Sequence, residues 1–523
     1  MELDDVDLDD PVPSETGTHE EQQVPEATQG MAIEAITDAM VAAVGKMEPM
    51  SPDILRATKV HRALAKFGRA FRYSKGMHKK SFEARKIGTF WSHSWHGSSR
   101  AKYVTLLQFY NDTAAAAIST AGAAVAACLF SQELLPAFRS REESQYVRSE
   151  WALLVGALLY VAVWLWWPSQ QSVFLDVICI DQENTRRKMA GLVSIGGFLK
   201  YSDSMLVLWD RTYCHRLWAI FEIAAFLRSK QGEDRKLIIR PTTLGPCYLL
   251  QTATVFLVFL GAGLIPDHSQ ILMWVLQALL CFFGFYINVA TYRAYFCSVE
   301  GMRQVLKSFK LADAYSYCCS SDHRGKGGVP LLCDRSVIHK CISEWFGSLE
   351  HFEQLVQTEV LDSLAQQLSS EFFSYRQCLV SMVPVIWSFM DTASAELHFE
   401  VNKQTGLLKA VRELARGLGW WLGVAPSALL VGARLSYVMR RRCHKPCDAL
   451  LNLPPLLSIV AVVMGMSQIE FLCFGLFRVK SEFAANMAVF AGVAVLLAAV
   501  LFVCVGVHPR YVPGPRAESG ATL

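Results

Sequence analysis

Residues 173–227 decide the fold of this chain, because they alternate in character: VFLDVICIDQ (173–182), SMLVLWD (204–210) and YCHRLWAIFEIAAFL (213–227). The first two segments are short runs of β-branched and other apolar residues that end in an acid, which is typical of buried strands. The third segment has the length and spacing of a buried helix. Strands that alternate with helices predict a parallel α/β unit.

Acidic residues mark the first of these predicted strands. Asp176 and Asp181 are expected near its carboxyl end, where open α/β sheets build their binding sites. The alternative for Asp181 is that it caps a helix that begins near Asn184. Both aspartates are candidate ligand-binding residues.

Glu222 lies in the middle of the predicted helix, next to Phe221 and Ile223. A carboxylate on so apolar a helix is costly to bury unless it is paired or functional. The alternative is an exposed position in which it pairs with Arg228 or Lys230. Glu222 is therefore the candidate catalytic residue.

A second aromatic segment, FWSHSW (90–95), precedes the apolar part of the chain and ends a predicted strand. Its tryptophans, with His93 and His96, are placed to stack on a ligand base or to line the edge of a core. Trp91 and Ser92 are candidate ligand-binding residues.

The composition is that of a polytopic membrane protein. Hydrophobic residues make up 52% of the 523 residues, charged residues make up 19%, and the mean hydropathy is +0.25. The net charge of +3 is too small to argue for nucleic acid. The 15 cysteines are scattered through apolar segments, which fits a reduced, cytosol-facing chain better than a disulfide framework.

Apolar runs near the length that a bilayer requires predict the membrane spans. They are 114–130, 151–167, 248–265, 271–292, 418–438, 456–477 and 483–507. The run 418–438 is uncertain, because Pro426 interrupts it and Arg434 lies within it. The chain therefore has six or seven spans.

Basic residues orient these spans. The segment 56–102 is densely basic, which places the N-terminus and the α/β unit in the cytosol. Arg440, Arg441 and Arg442 conflict with the positive-inside rule if 418–438 crosses the membrane, because they then fall on the outer side. Six spans keep this cluster inside.

The sequence divides into segments of different composition. We expect a disordered acidic N-terminus (1–50), a basic helical linker (51–87), two halves of the α/β domain (88–112 and 168–245) separated by two transmembrane helices (113–167), a transmembrane hairpin (248–292), a helical cytosolic module (293–415), a C-terminal transmembrane group (418–507) and a polar tail (508–523).

The motifs, taken in order, resemble the TIR-like superfamily, which includes Toll/interleukin-receptor domains and heterokaryon-incompatibility domains. Ser92 matches the serine that follows the first strand of TIR domains, and DVICIDQ (176–182) is similar to an Asp-x-x-Cys-Ile-Asn-Gln motif of the incompatibility domains. Tyr213 and the helix from Trp218 to Glu222 match a Tyr and a Trp-Cys-x-x-Glu helix. Here Ala219 stands in place of the cysteine. The arrangement resembles multi-pass TIR-like proteins of protists and algae.

The resemblance implies a TIR/flavodoxin-like parallel sheet that a membrane hairpin interrupts, joined to polytopic α-helical membrane segments. It also implies signalling or regulated self-association at a membrane, with the lipid bilayer and a second copy of the chain as partners. In NAD-cleaving TIR domains the matching glutamate is catalytic, so Glu222 would act on NAD as substrate. Trp91 or Trp218 would stack on the dinucleotide.

Two other interpretations of the function remain. A transporter or channel would use Arg434 and Glu470 as charges along a path through the membrane, and a structural anchor would use neither. Six residues of the mid-chain loops are zinc-ligand types: Cys318, Cys319, His323, Cys333, His339 and Cys341. Their spacing matches no common zinc module, so the sequence predicts no metal site.

Overall fold

The computed structural model describes residues 26–140, 147–229, 236–264, 270–323, 332–370, 373–400, 402–442, 444–476 and 483–505. Eight strands are β1 (Arg56–Lys59), β2 (Phe82–Glu83), β3 (Ile87–His93), β4 (Arg139–Ser140), β5 (Val147–Arg148), β6 (Ser172–Phe174), β7 (Ser202–Trp209) and β8 (Lys236–Pro241). Helices dominate the rest of the described chain.

The helices are α1 (Glu26–Gly45), α2 (Val60–Gly68), α3 (Ser99–Ser131), α4 (Trp151–Trp166), α5 (Asp176–Cys179), α6 (Thr185–Val193), α7 (Ile195–Lys200), α8 (Leu217–Ser229), α9 (Leu244–Leu264), α10 (Gln270–Lys307), α11 (Tyr317–Ser320), α12 (Asp334–Phe346), α13 (Leu349–Leu355), α14 (Leu361–Ser370), α15 (Tyr375–Ser381), α16 (Pro384–Phe399), α17 (Lys403–Leu418), α18 (Ala425–Val438), α19 (Lys445–Leu450), α20 (Leu453–Leu476) and α21 (Phe483–Cys504). Two π-helical segments, Val356–Val360 and Gly419–Val424, join α13 to α14 and α17 to α18.

A mixed six-stranded sheet has the order β2-β1-β6-β3-β7-β8. The strands β6, β3, β7 and β8 are parallel, with Phe90 opposite Phe174 and Leu206 between Trp91 and Ile238. The side chains of β7 are almost all buried, which is usual for a parallel strand covered on both faces. The predicted strands at 90–91, 204–210 and 236–240 therefore belong to one sheet. We call this sheet with α5, α6, α7 and α8 the sheet unit.

The antiparallel edge of the sheet corrects the prediction of a basic helical linker at 51–87. In that segment β1 pairs with β6 on one side and with β2 on the other, and α2 is the only α-helix of the segment. Burial explains why this segment forms a strand of the sheet. Ala57 and Thr58 are fully covered, while their basic neighbours Arg56 and Lys59 are only partly covered.

The strand predicted over 173–181 is also shorter than expected. It ends at Phe174, and Asp176–Cys179 forms one helical turn. The amide groups of Ile178 and Cys179 donate to the carbonyl of Leu175, and the Asp176 carboxylate accepts from the next amide. This local hydrogen bonding overrides the strand preference of the β-branched side chains.

The crossover from β3 to β6 is a long helical hairpin. Helix α3 begins after a five-residue loop (94–98), where the Ser98 side chain accepts from the amide of Ala101, and it continues for 33 residues. At a rise of 1.5 Å per residue it is about 50 Å long. The Asn111 amide donates to the carbonyl of Trp164 across the hairpin. The predicted boundary between the first half of the α/β domain and the transmembrane helices, at 112–113, thus falls inside the continuous helix α3.

Within the described ranges, five helices are long and apolar enough to cross a membrane: Ser99–Ser131, Leu244–Gly263, Lys403–Val438, Pro446–Phe474 and Asn486–Cys504. They support an integral membrane protein. Trp151–Trp166 is apolar but shorter, and α10 (Gln270–Lys307) contains the predicted span 271–292. The run 418–438 belongs to a 36-residue helix, so the predicted boundary at 415–418 is wrong in position.

One apolar segment that looks too short to span in the sequence forms a bent helix pair. Helices α15 and α16 meet at 52°, and together they have the length and hydropathy of a broken span or a re-entrant loop. At the far end of this pair, His398 Nδ1 lies 3.2 Å from the carbonyl of Phe130, near the end of α3. The Asp391 carboxylate accepts from the first amide groups of α4, those of Ala152 and Leu153.

The loop after α18 lies at the end of the helical bundle that faces the sheet unit. Arg293 of α10 is fully buried and donates to the carbonyls of Met439, Arg441 and Asp448. Seven residues along the same helix, the Glu300 carboxylate pairs with Arg440 at 3.2 Å. The chain after α10 then reaches the sheet unit, where Tyr315 exchanges backbone hydrogen bonds with His215 and Leu217.

Candidate functional site

The carboxyl ends of three parallel strands meet at one edge of the sheet. The chain leaves β3 for β6 on one side and returns past it to β7 on the other, so β3 and β7 flank a topological switch point. Ligands of open α/β sheets bind in the crevice at such a point. Here the strand ends supply Ser92 and His93 from β3, Asp176 after β6 and Asp210 after β7.

A carboxylate and two hydroxyl groups form the centre of this edge. The Ser92 hydroxyl donates to Glu222 Oε2 at 2.5 Å, and the Tyr213 hydroxyl lies 2.6 Å from Ser92 Oγ. Since the Ser92 proton is directed to the carboxylate, Tyr213 is the donor in the second contact. Ser92 and Tyr213 are buried, whereas Glu222, on α8, is half-buried. The two residues that sequence motifs place 130 positions apart are thus in direct contact.

Burial controls the protonation of Glu222. It raises the pKa of the carboxyl group to about 8, and the negative charge of Asp176 acts in the same direction. The hydrogen bond from Ser92 and the positive charge of Arg216 oppose this shift only in part. At neutral pH the ligand-free side chain is therefore mostly protonated.

Asp176 and Trp95 form the outer wall of the site. The Trp95 indole Nε1 donates to Asp176 Oδ2 at 3.1 Å, and the ring stands edge-on to His93 with 4.7 Å between centroids. Burial raises the pKa of Asp176 above its ordinary value. Trp95 remains 39% exposed, so its ring is the one large aromatic surface of this wall that reaches solvent.

Trp91 is not the stacking residue that the sequence predicted. It is 2% exposed, its indole donates to the Tyr110 hydroxyl at 2.9 Å, and its ring lies parallel to Phe71. Alternation along β3 explains the burial of Trp91, because Ser92 points to the site and its neighbour Trp91 points into the core. Trp95, which the same motif contains, is the tryptophan whose ring is exposed at this site.

Trp218 and Asp181 also lie elsewhere. The Trp218 indole donates to Asp334 Oδ2 at 3.1 Å, which fastens α12 to α8. Asp181 accepts from the amides of Glu183 and Asn184, and it lies in a shallow pocket beside Arg187. The side chain of Asn184 caps α6. Asp181 therefore shapes the turn before the helix, whereas the helix cap that the alternative interpretation assigned to it is Asn184.

Cationic side chains complete the site, and sequence reasoning missed them. Lys102, one turn into α3, is 2% exposed and donates to the carbonyls of Ser94 and Gly97. Arg216, which precedes α8, has a guanidinium nitrogen 3.3 Å from His96 Nδ1. The sequence did contain a signal for Lys102, because it is a basic residue that follows a predicted strand end and the helix-capping Ser98.

The loop after β3 packs closely on the end of β7. A Cβ on Gly97 would lie 1.8 Å from Asp210 Oδ2, so only glycine fits there. Asp210 Oδ1 accepts from the amide and hydroxyl groups of Thr212. Its other oxygen is buried and has no hydrogen-bond partner among the described residues. The loop that carries Trp95 is therefore held close to the carboxyl end of β7.

His93 is buried between Phe71 and Trp95. Burial, together with the nearby positive charges of Lys102 and Arg216, lowers its pKa to about 3. The imidazole is neutral at physiological pH, and its Nε2 has no hydrogen-bond partner within the described chain. It can therefore act as a hydrogen-bonding group but not as a cation.

The arrangement can recognise a diol next to an aromatic group. Glu222 already accepts from one hydroxyl, that of Ser92, and a carboxylate can accept from further hydroxyls. Trp95 offers a ring face, and Arg216 offers a positive charge for an anionic group. These are the groups that a nucleotide ribose, its base and its phosphates require.

No family model, no curated protein and no solved structure matches this chain. The TIR-like resemblance therefore rests on the sequence motifs alone. It stays a prediction, and the geometry of the site has to carry any function proposed for it.

Proposed function

We propose that this chain is a multi-pass membrane protein with a cytosolic TIR-like α/β unit that acts in signalling by cleaving NAD. The observation that carries the proposal is the contact between Ser92 and Glu222 at the switch point of the sheet. The order of the parallel strands, β6-β3-β7-β8, is the 2-1-3-4 order of flavodoxin-like sheets, which supports the TIR-like assignment.

The reaction is the hydrolysis of the bond between nicotinamide and ribose. The C1′–N bond breaks, its electron pair leaves with nicotinamide, and C1′ gains oxocarbenium character. Water then adds to C1′ and loses a proton. A carboxylate close to the ribose stabilises the positive charge that develops in this transition state.

Each side chain of the site has a role in this proposal. Glu222 accepts hydrogen bonds from the ribose hydroxyls and stabilises the cation, while Ser92 positions the carboxylate. The exposed ring of Trp95 stacks on the nicotinamide or the adenine. Arg216 lies at the rim and attracts the diphosphate.

The helical bundle supports the membrane part of the proposal. Large apolar side chains on α4, α20 and α21 point outward, among them Leu158 (72% exposed), Phe471 (70%) and Leu496 (66%). Such faces are unfavourable in water and favourable in lipid. The bilayer is therefore a proposed partner, and self-association of the TIR-like unit on its surface is the proposed signalling event.

The bent pair α15–α16 reconciles the orientation with the positive-inside rule. If this pair crosses the membrane, then Lys403–Val438 crosses back toward the sheet unit. Arg440, Arg441 and Arg442 then lie on the same side as the basic segment 56–102. The contacts of Arg293 and Glu300 with this loop support that arrangement.

The transporter reading gains no support from the two intramembrane charges. Glu470 accepts hydrogen bonds from Arg416 and from the Trp420 indole. Arg434 lies against the Tyr437 ring at 5.8 Å. Both contacts join helices or neighbouring turns, which is a structural role.

The test is the release of nicotinamide from NAD by the full chain in nanodiscs, measured by chromatography. We expect slow release by the wild type, faster release when the protein is clustered, and a loss of at least about 100-fold in Glu222→Gln. The matched control is Glu344→Gln, which changes an exposed glutamate of α12. The proposal is wrong if the clustered wild type releases no nicotinamide or if Glu222→Gln is as active as the control.

A further inference from the structure

Four zinc-ligand side chains come together in the loop between α10 and α12. The ligand atoms of Cys318, Cys319, His323 and Cys333 all lie within 4.8 Å of one another. The sequence predicted no metal here, because these residues contain no CxxC pair. The other two candidates do not join them, and Cys341 is buried in the hydrophobic core.

The distances fit a tetrahedral metal site. Cys319 Sγ lies 3.9 Å from Cys318 Sγ and 3.8 Å from Cys333 Sγ. Two sulfurs bound to one zinc ion at about 2.3 Å in tetrahedral geometry are about 3.8 Å apart. A disulfide bond would need about 2.05 Å, so the spacing is that of ligands around a common ion.

The local backbone directs these side chains inward. Cys318 and Cys319 lie on α11, and the next residues turn back through left-handed conformations, with φ of 49° at Asp322 and 57° at His323. Residues other than glycine adopt this conformation at a cost in free energy. Coordination of His323 by a metal would offset that cost.

Neighbouring groups are placed to stabilise thiolates. The amide of Asp334 donates to Cys318 Sγ at 3.2 Å, and the Ser316 hydroxyl lies 3.0 Å from the same sulfur. Cys333 occupies the N-cap position of α12, where the helix dipole favours a negative charge. Such contacts orient and tune metal ligands.

We propose that Cys318, Cys319, His323 and Cys333 bind one structural zinc ion. The ion fixes the loop that joins the membrane helices to the sheet unit. On one side of it, Tyr315 pairs with His215 and Leu217. On the other side, Asp334 accepts from Trp218 on α8, the helix that carries Glu222. The ion thus holds α8 against the helical segment, whether or not the site acts on NAD.

The first test is the metal content of the full chain, purified under reducing conditions without chelators. We expect about one zinc ion per chain, and less than about a tenth of that in Cys319→Ser and His323→Ala. Cys447→Ser is the matched control, because it removes an exposed cysteine outside the cluster and should keep the zinc.

A second test uses the wild type alone and does not depend on the folding of variants. A zinc chelator should lower the melting temperature and expose three further thiols to alkylation. Added zinc should reverse both effects. Cobalt in place of zinc should give the intense visible bands of tetrahedral thiolate coordination. The proposal is overturned if the reduced wild type binds neither metal, if the control loses zinc with the variants, or if peptide mapping finds a Cys319–Cys333 disulfide.

Discussion

The protonation of Glu222 links the site to pH at the residue scale. Burial raises its pKa from an ordinary value of 4.5 to about 8, so the carboxylate form that the reaction needs is the minor form at neutral pH. Ribose hydroxyls that donate to the carboxylate would favour the charged form and lower this pKa on binding. The substrate would therefore help to activate its own site.

This protonation predicts the pH profile of NAD hydrolysis. Because kcat/KM reports the free enzyme, it should rise with pH and level off above about 8, as Glu222 loses its proton. Nicotinamide release at low NAD concentration, measured from about pH 6 to pH 9.5, gives the profile. A profile that falls over this range would contradict the role of Glu222 as a carboxylate.

Ser92 also affects the pKa of Glu222, in the direction opposite to burial. Its hydroxyl donates to Glu222 and so lowers the pKa of that carboxyl group. In Ser92→Ala the rise of kcat/KM should move to higher pH, while folding should weaken by about 1 kcal/mol because Tyr213 loses its nearer acceptor and keeps only the Ala219 carbonyl at 3.4 Å.

Thermal melting and the pH profile together separate these two effects of Ser92. Ser194→Ala is a suitable control, since Ser194 is also a buried serine but lies beside Met50 and Ala190. If Ser92→Ala keeps the wild-type profile, Ser92 does not position the carboxylate.

At the scale of the elements, sequence pattern predicted β7, β8 and α8 well, since β7 and β8 are short runs rich in β-branched and other apolar residues and α8 has the length of a buried helix. The pattern failed where local hydrogen bonds or partners that are distant in sequence determine the secondary structure. The turn at Asp176 ends β6 early, and β1 is a strand only because β6 and β2 pair with it. The burial of Trp91 was missed because the alternation along β3 could not be phased without the fold, and Trp95 is exposed because it lies in the loop after that strand.

Helix α4 is an element whose start depends on a distant carboxylate. Asp391 accepts from the amides of Ala152 and Leu153 and from the Ser149 hydroxyl, all at 2.8–2.9 Å. Asp391→Ala leaves these buried donors without an acceptor and should destabilise the protein by about 1–2 kcal/mol. Asp391→Asn keeps one acceptor oxygen and should cost less.

Melting of the detergent-solubilised protein, followed by tryptophan fluorescence, measures the effect of these changes. Asp313→Ala, which changes an exposed aspartate, is the control. Equal melting temperatures for Asp391→Ala and the control would show that the capping contact does not stabilise α4.

At the scale of the whole molecule, the membrane helices interrupt one sheet. The strands β3 and β6 are neighbours in space although α3 and α4 separate them in the chain. Sequence reasoning found this insertion from the two predicted strands alone. It missed the bent pair α15–α16, because neither helix is long enough by itself. The proposed crossing of this pair would remove the conflict of Arg440, Arg441 and Arg442 with the positive-inside rule.

The central claim is that both halves of the sheet unit and the loop after α18 share one side of the membrane. Glycosylation mapping in microsomes tests it most directly, with Asn-Gly-Thr acceptors on flexible inserts placed after Ser74, Glu133, Ser229 or Arg441. Matching inserts that carry Gln in place of Asn are the control. We predict that only the insert after Glu133, at the opposite end of the bundle, is glycosylated. Glycosylation after Ser74, Ser229 or Arg441 would contradict the account.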